Sequence, residues 1–178
     1  YCMQFDDPDK PISISDYEAV GKMSGALSEH ANEAFDELTA EEKVVCESLF
    51  KTLTEKGSDN RGIRHPTTVK KIAAIAGTGT TPVLQVAETF RKAGRSFVTP
   101  APEKPLHEDS VIDLSHESLM RIWNRLKIWV EEEAQAVQMY TRLAESAAMF
   151  QVGKTGLWRP PDLQLALNWK SKQNPNLE

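Results

Sequence analysis

Residues 111–130 change from the apolar spacing of a strand to that of a helix, and this change limits the folds open to the chain more than any other part of the sequence. Val111, Ile112 and Leu114 give the β-branched and apolar content of a short, partly buried strand. Apolar residues then recur at steps of three and four, which is helical spacing, at Leu119, Ile122, Trp123, Leu126, Trp129 and Val130. The chain must therefore place a strand end beside a helix start, with His116 at the junction.

Ser115 and His116 lie where this helix is expected to begin. Serine is a favourable N-cap, so Ser115 is predicted to cap the helix and His116 to lie in its first turn. Free backbone N–H groups and the positive end of the helix dipole favour an anion there. We therefore expect a neutral imidazole that donates to a phosphate. A histidine that only satisfies a backbone carbonyl is the alternative.

A helical bundle is predicted before this junction. Residues 1–15 are expected to form an extended lead-in, because two prolines exclude a helix. Asp16 then caps a helix with an apolar stripe. The capping box Thr39-Ala40-Glu41-Glu42 opens a second helix that is expected to continue to Gly57. Residues 16–57 are thus predicted to be a helical segment.

The pattern of residues 58–115 is typical of a helix-turn-helix with a small β-sheet. In order, it predicts a polar loop at 58–66, helices at 67–77 and 82–94, and strands at 97–98 and 111–114. Two short helices joined by a glycine-containing turn and followed by two strands favour a winged helix with an antiparallel β-wing.

Residues 116–178 predict a long helical arm. Glu131-Glu132-Glu133 is either a solvated face or a break between two helices, and both interpretations stay open. A last helix begins near Asp162, and the tail from Lys170 is expected to be disordered or a linker. The predicted class is therefore mainly α: a helical bundle, a winged helix with a small antiparallel β-wing, and a long C-terminal helical arm.

The net charge of -5 is unevenly distributed. Residues 1–60 carry 5 basic and 14 acidic side chains, residues 61–98 carry 7 and 1, and residues 99–178 carry 9 and 11. A basic middle segment indicates either nucleic-acid contact or an internal or partner-facing electrostatic match. For a DNA-binding module, phosphate contacts would come from Lys70, Lys71, Arg91, Lys92 and Arg95. Few side chains of the recognition helix at 82–93 suit base edges, so only weak, salt-sensitive binding is expected.

The sequence contains no catalytic or metal-binding constellation. Cys2 and Cys46 lie far apart without metal-ligand spacing, so reduced thiols and a core position for Cys46 are expected. The 4 histidines lack metal-ligand spacing as well. No elbow glycines flank Ser115, which argues against a serine hydrolase. No membrane span or signal peptide is present in the sequence, so a cytoplasmic location is expected.

Residues 111–129 resemble the strand, His-Glu-x-Leu and Trp-x-x-Leu-x-x-Trp run in the winged-helix region of STAND NTPases, the large signal-transduction ATPases related to AAA+ proteins. Further resembling pieces stand in the expected order at 17–27, 31–50, 144–150 and 163–169. Together they cover nearly the whole chain. The resemblance implies a regulatory module that follows a nucleotide-binding domain and precedes a repeat-type sensor or an effector.

The resemblance also implies roles for individual residues. In STAND proteins the histidine of this motif touches the β-phosphate of ADP and holds the resting state, which implies nucleotide sensing by His116 with Ser115 and Glu117 beside it. Many relatives have aspartate where Glu117 stands. Arg61 and Arg64 lie in a loop where the family often has arginine. They would contact a phosphate, a partner or DNA, with solvated loop arginines as the alternative.

The chain departs from the family because it has no phosphate-binding loop. No G-x-x-x-x-G-K-[ST] occurs, and the segment 77–81 lacks the lysine that reaches the phosphates. We therefore expect no catalytic residue, ATP hydrolysis or cofactor in these residues. Since the chain opens on Tyr1, we interpret it as a segment of a longer polypeptide whose upstream P-loop binds ATP or ADP with Mg²⁺.

The implied function is that of a switch. With ADP bound upstream, the winged helix would hold the nucleotide-binding domain closed; ATP exchange, triggered through downstream sensor repeats, would release it and permit self-association. Defence, transcriptional control and programmed cell death are all compatible outputs. The alternatives are a DNA-binding winged helix and a pure protein-interaction scaffold.

Overall fold

The computed structural model describes residues 22–57 and 62–173. Within them the chain is mainly α-helical with two small antiparallel sheets, as predicted. The helices are α1 Lys22–Asp36, α2 Ala40–Thr52, α3 Val69–Ala76, α4 Thr80–Arg91, α5 Ser118–Ile122, α6 Asn124–Gln151 and α7 Asp162–Gln173. The strands are β1 Thr54–Lys56, β2 Gly62–Arg64, β3 Thr67–Thr68, β4 Val98–Thr99 and β5 Val111–Leu114.

The chain divides into two compact units, one up to Val130 and the other from Glu131. The domain boundaries given above stay predictions. Several predicted features lie outside the described residues: the lead-in at 1–15, the helix start at Asp16, Cys2, Arg61 and the last residues of the tail.

An aromatic cluster forms the centre of the first unit. Trp123 is fully buried, and the rings of Phe50 and Phe90 lie 5.0 and 5.7 Å from its ring. Trp129, near the start of α6, lies 5.5 Å away. These side chains join α2, α4 and α6 in one core. Cys46 is buried in the same core, as predicted, and burial raises the pKa of its thiol.

Two helix ends in this unit were predicted from local sequence and are confirmed. The Thr39 hydroxyl accepts the Glu42 N–H at 3.3 Å, and the Glu42 carboxylate accepts the Thr39 N–H at 2.9 Å, which is the predicted capping box of α2. Gly77 ends α3 in the left-handed conformation with a φ of 64°, which glycine adopts without a steric penalty.

Three short strands pack beside α3 and α4. β5 lies between β3 and β4 and is antiparallel to both, with Thr67 opposite Ile112 and Val98 opposite Leu114. The predicted strand pair is confirmed, and β3 adds a third strand to it. Ile112 and Leu114 are fully buried, so one face of β5 packs on the core.

The hairpin of β1 and β2 contradicts the prediction for residues 53–66. α2 ends at Thr52 rather than at Gly57, and the segment predicted as a polar loop contains β2. The His65 N–H donates to the Leu53 carbonyl at 2.9 Å and ties the hairpin to the end of α2. Strands of three residues with charged side chains show no clear hydrophobic alternation, so their sequence predicts a loop.

The predicted helical arm breaks at Trp123. α5 ends one residue earlier, Trp123 has φ -75° and ψ 105°, and α6 then continues without interruption through 131–133. The break therefore does not fall at the three glutamates. The Trp123 indole N–H donates to the Asn32 Oδ1 at 2.9 Å, and this bond together with ring burial explains why the backbone leaves the helix here.

The second unit contains the rest of α6 and α7. Arg142 donates to Asp162 at 2.7 Å, and the indole N–H of Trp158 donates to the Ser146 hydroxyl at 3.1 Å. α7 continues to Gln173, so residues 170–173, predicted as disordered or a linker, are helical. None of the described helices has the length and apolar character needed to span a membrane.

Candidate functional site

His116 lies on the surface between β5 and α5. Its Nδ1 accepts the backbone N–H of Ser118 at 3.0 Å and lies 2.7 Å from the Ser118 hydroxyl. Because Nδ1 accepts from an amide, the proton of the neutral ring resides on Nε2. His116 is exposed, and Nε2 has no hydrogen-bond partner in the described part of the chain. The ring therefore offers one N–H donor to a ligand.

The prediction that Ser115 caps the helix is wrong. The Ser115 N–H donates to the Phe97 carbonyl at 3.0 Å, so Ser115 extends the pairing of β5. α5 begins at Ser118, and His116 precedes the helix instead of lying in its first turn. The His116 imidazole takes the capping role, because it accepts one of the backbone N–H groups that the helix leaves free.

Glu117 is exposed beside His116. Its carboxylate accepts the Arg121 Nη2 at 3.3 Å, one helical turn later. Both side chains are largely in water, so the pair contributes little to stability. Its electrostatic consequence is local: Arg121 compensates the negative charge that Glu117 would present to an anion near His116.

Arg64 reaches the same junction from β2. Its Nη1 donates to the Asp113 Oδ2 at 3.1 Å and to the Leu114 carbonyl at 3.0 Å. Leu114 is two residues before His116. The structure thus brings together Arg64 and the three predicted nucleotide-sensing residues at one strand end, whereas Arg61 lies outside the described residues.

Arg91 is not on the surface. Its side chain is 2% exposed, and its Nη1 donates to the carbonyls of Pro100, Ala101 and Lys104 at 3.1, 2.8 and 2.7 Å. Its Nε and Nη2 bind both oxygens of Glu88 at 2.8 and 2.6 Å. The predicted contact between Arg91 and DNA phosphates is therefore wrong, because the guanidinium is enclosed by the loop that follows β4.

Most other cations of the basic segment are also paired within the fold. These pairs are Lys92 with Glu37, Arg95 with Glu37, and Lys70 with Asp109. Over 62–98, Lys71 alone lacks an ion-pair partner among the residues described. Glu88 lies half exposed on α4, and its negative charge is compensated by Arg91. The cations of the basic segment are therefore paired mainly with acidic residues of the same fold, which is one of the explanations that the sequence allowed.

Glu37 makes the stability of the first unit dependent on pH. Hydrogen bonds from Arg95, the larger cause, and from Lys92 together lower the pKa of the carboxyl from 4.5 to about 2. The unfolded chain therefore binds this proton more readily than the folded chain. The stabilisation is present above a pH of about 4.5 and is lost as the pH falls toward about 2.

We expect the melting temperature of the wild type to fall between roughly pH 5 and pH 3 more steeply than that of Glu37→Gln. The substitution removes the titrating group while it keeps the size of the side chain. Circular dichroism at a series of pH values measures the difference. Glu103→Gln, on an exposed loop, is the control and should follow the wild type. Parallel curves for Glu37→Gln and the wild type would contradict the prediction.

Comparison with protein families gives one match. The family described as Novel STAND NTPase 1 matches residues 4–155, a range that contains the His116 junction. No curated protein and no solved structure matches significantly. Over 22–57 and 62–173, no group of His, Cys, Asp and Glu side chains is arranged to hold a metal ion.

Proposed function

Because the chain belongs to the Novel STAND NTPase 1 family, we propose that it is the regulatory winged-helix and helical module that couples nucleotide state to a sensor or effector in a signalling NTPase. The order α2, β3, α3, α4, β4, β5, with β5 between β3 and β4, supports the winged-helix assignment. The burial of Arg91 favours a role as a lid over a role as a DNA reader.

The observation that carries the proposal is the single free donor of His116. With Nδ1 engaged by Ser118, the Nε2–H of the exposed His116 ring is the donor that stays available to a ligand. Phosphate oxygens are strong acceptors for such a group. His116 would hold a phosphate of ADP, and the exposed Ser115 hydroxyl would supply a second donor. The pairing of Glu117 with Arg121 reduces repulsion between Glu117 and the anion.

The described residues fit a phosphate but not Mg²⁺, since they contain no cluster of acidic ligands. We assign Mg²⁺ and the P-loop to a nucleotide-binding domain that precedes these residues in a longer cytoplasmic protein. The ADP state would be closed through His116, and the ATP state would open and self-associate, with downstream sensor repeats biasing the equilibrium. Reading the gene upstream of Tyr1 tests this directly, because the absence of an encoded P-loop would overturn the switch.

In the full-length protein, His116→Ala is expected to release ADP about 5- to 150-fold faster, the usual range for coupling between sites, and to raise basal signalling. The physical reason is the loss of the only donor through which this ring would touch the phosphate. Displacement of a fluorescent ADP analogue measures the rate. His107→Ala, on an exposed loop, is the matched control. An unchanged release rate with normal expression would count against the switch and favour a nucleotide-independent scaffold.

A further inference from the structure

The β1–β2 hairpin contacts the chain on both sides of His116. Before it, Arg64 binds the Asp113 carboxylate and the Leu114 carbonyl. After it, Gly62 packs against the buried Met120 of α5 so closely that a Cβ at Gly62 would lie 2.7 Å from Sδ. We propose that the hairpin is a clasp on this junction and that Arg64 is the positioning residue that sets the orientation of the His116 imidazole.

The peptide unit between Leu114 and Ser115 shows how Arg64 would act. Its carbonyl accepts the Arg64 guanidinium at 3.0 Å, and its N–H donates to the Phe97 carbonyl at 3.0 Å. A planar peptide bonded at both ends cannot rotate without breaking one of the bonds. The next carbonyl but one, that of His116, accepts the Leu119 N–H at 3.2 Å. The backbone that carries the imidazole is therefore held from both directions while Arg64 is bound.

Asp113 makes the clasp costly to open. Its side chain is 19% exposed, and its Oδ1 is buried without a hydrogen-bond partner in the described residues. Arg64 supplies the ion pair at Oδ2. Arg64 itself is 44% exposed, but its removal leaves the largely buried Asp113 carboxylate without a compensating charge, which costs more than the loss of a pair that is exposed on both sides. The hairpin therefore stays on the junction unless Arg64 is drawn away.

The test measures the His116 ring and the Ser118 amide by NMR in the 178-residue chain without nucleotide. The wild type should show the Nε2–H tautomer and a protected Ser118 amide. Arg64→Gln should give a mixture of tautomers and amide exchange at Ser118 at least about tenfold faster, because the turn opens locally. Lys70→Gln, which removes a cation from an exposed pair with an aspartate, is the control and should change neither signal.

A double variant separates positioning from stability. Arg64→Gln with Asp113→Asn removes the stranded carboxylate and should recover the melting temperature, but the Leu114 carbonyl still lacks its donor. Mixed tautomers in the folded double variant would support the clasp, and a wild-type ring would overturn it. If Arg64→Gln alone does not fold, the double variant carries the test.

The clasp rests on the proposed role of His116, but its test does not involve a nucleotide. A wild-type tautomer population and exchange rate in folded Arg64→Gln would overturn the clasp and leave the ADP-release prediction standing. Unchanged ADP release in His116→Ala would overturn the proposed function and leave the clasp as a structural property of the junction.

Discussion

Trp123→Ala is expected to cost the first unit about 3–5 kcal/mol, the range for removing a large aromatic side chain from a core. The Trp123 side chain is fully buried and contacts Phe50 and Trp129 edge to face. Its removal would leave a cavity between three helices, and the Asn32 Oδ1 would lose its indole donor. Since a domain is stable by only about 5–15 kcal/mol, the variant should be partly unfolded at moderate temperature.

Urea denaturation followed by circular dichroism measures this loss. Trp158→Ala is the matched control, because Trp158 is only half-buried and belongs to the second unit. It should leave the unfolding of the first unit unchanged. Trp123→Phe should lie between the two, since it keeps a ring in the core but removes the bond to Asn32. A loss below about 1 kcal/mol in Trp123→Ala would show that the core does not depend on this residue.

Local signals predicted much of this fold. Three of these signals affect only neighbouring residues, so their effect could be predicted from the sequence: the capping box at Thr39, the glycine after α3 and the β-branched run of β5. The apolar spacing that begins at Leu119 predicted the buried positions of Trp123 and Leu126, whereas Val137 and Tyr140, further along the predicted arm, are about half exposed. The position of His116 between a strand and a helix was predicted from the change in apolar spacing within residues 111–130.

Features that depend on distant contacts could not be predicted. The β1–β2 hairpin is held by Gly62 against Met120 and by Arg64 at Asp113, and neither contact has a signal in the local pattern. The break at Trp123 depends on a bond to Asn32 in α1. In both cases the tertiary contact overrides the local preference, and the helix and loop boundaries shift accordingly.

In the candidate site, too, the features set by local sequence were predicted and those set by distant contacts were not. The sequence predicted the three residues at the junction, but it assigned the cap to Ser115 because serine is the better intrinsic capping residue. The pairing of Ser115 with Phe97 uses its N–H for the sheet and moves the helix start to Ser118. Arg64 was predicted to lie in a polar loop, either solvated or in contact with a phosphate, a partner or DNA, and only the hairpin brings it to Leu114.

Arg91→Met is expected to cost about 3–5 kcal/mol, the range for breaking a buried, hydrogen-bonded charge system. Methionine has a similar length but donates no hydrogen bond, so the carbonyls of Pro100, Ala101 and Lys104 would lose their shared donor. Arg91→Lys should also be clearly destabilised, because one ammonium group cannot reproduce the fork that binds both the carbonyls and Glu88. Urea denaturation measures both variants.

Arg121→Met removes the same charge at an exposed surface pair and should cost less than about 1 kcal/mol. The comparison decides between the two interpretations of the basic segment. A large loss for Arg91→Met beside a small one for Arg121→Met means that Arg91 holds the loop between β4 and β5 and is not available to a nucleic acid. A stable Arg91→Met variant with weakened DNA binding would mean the opposite, and the DNA-binding winged helix would then replace the nucleotide-sensing lid.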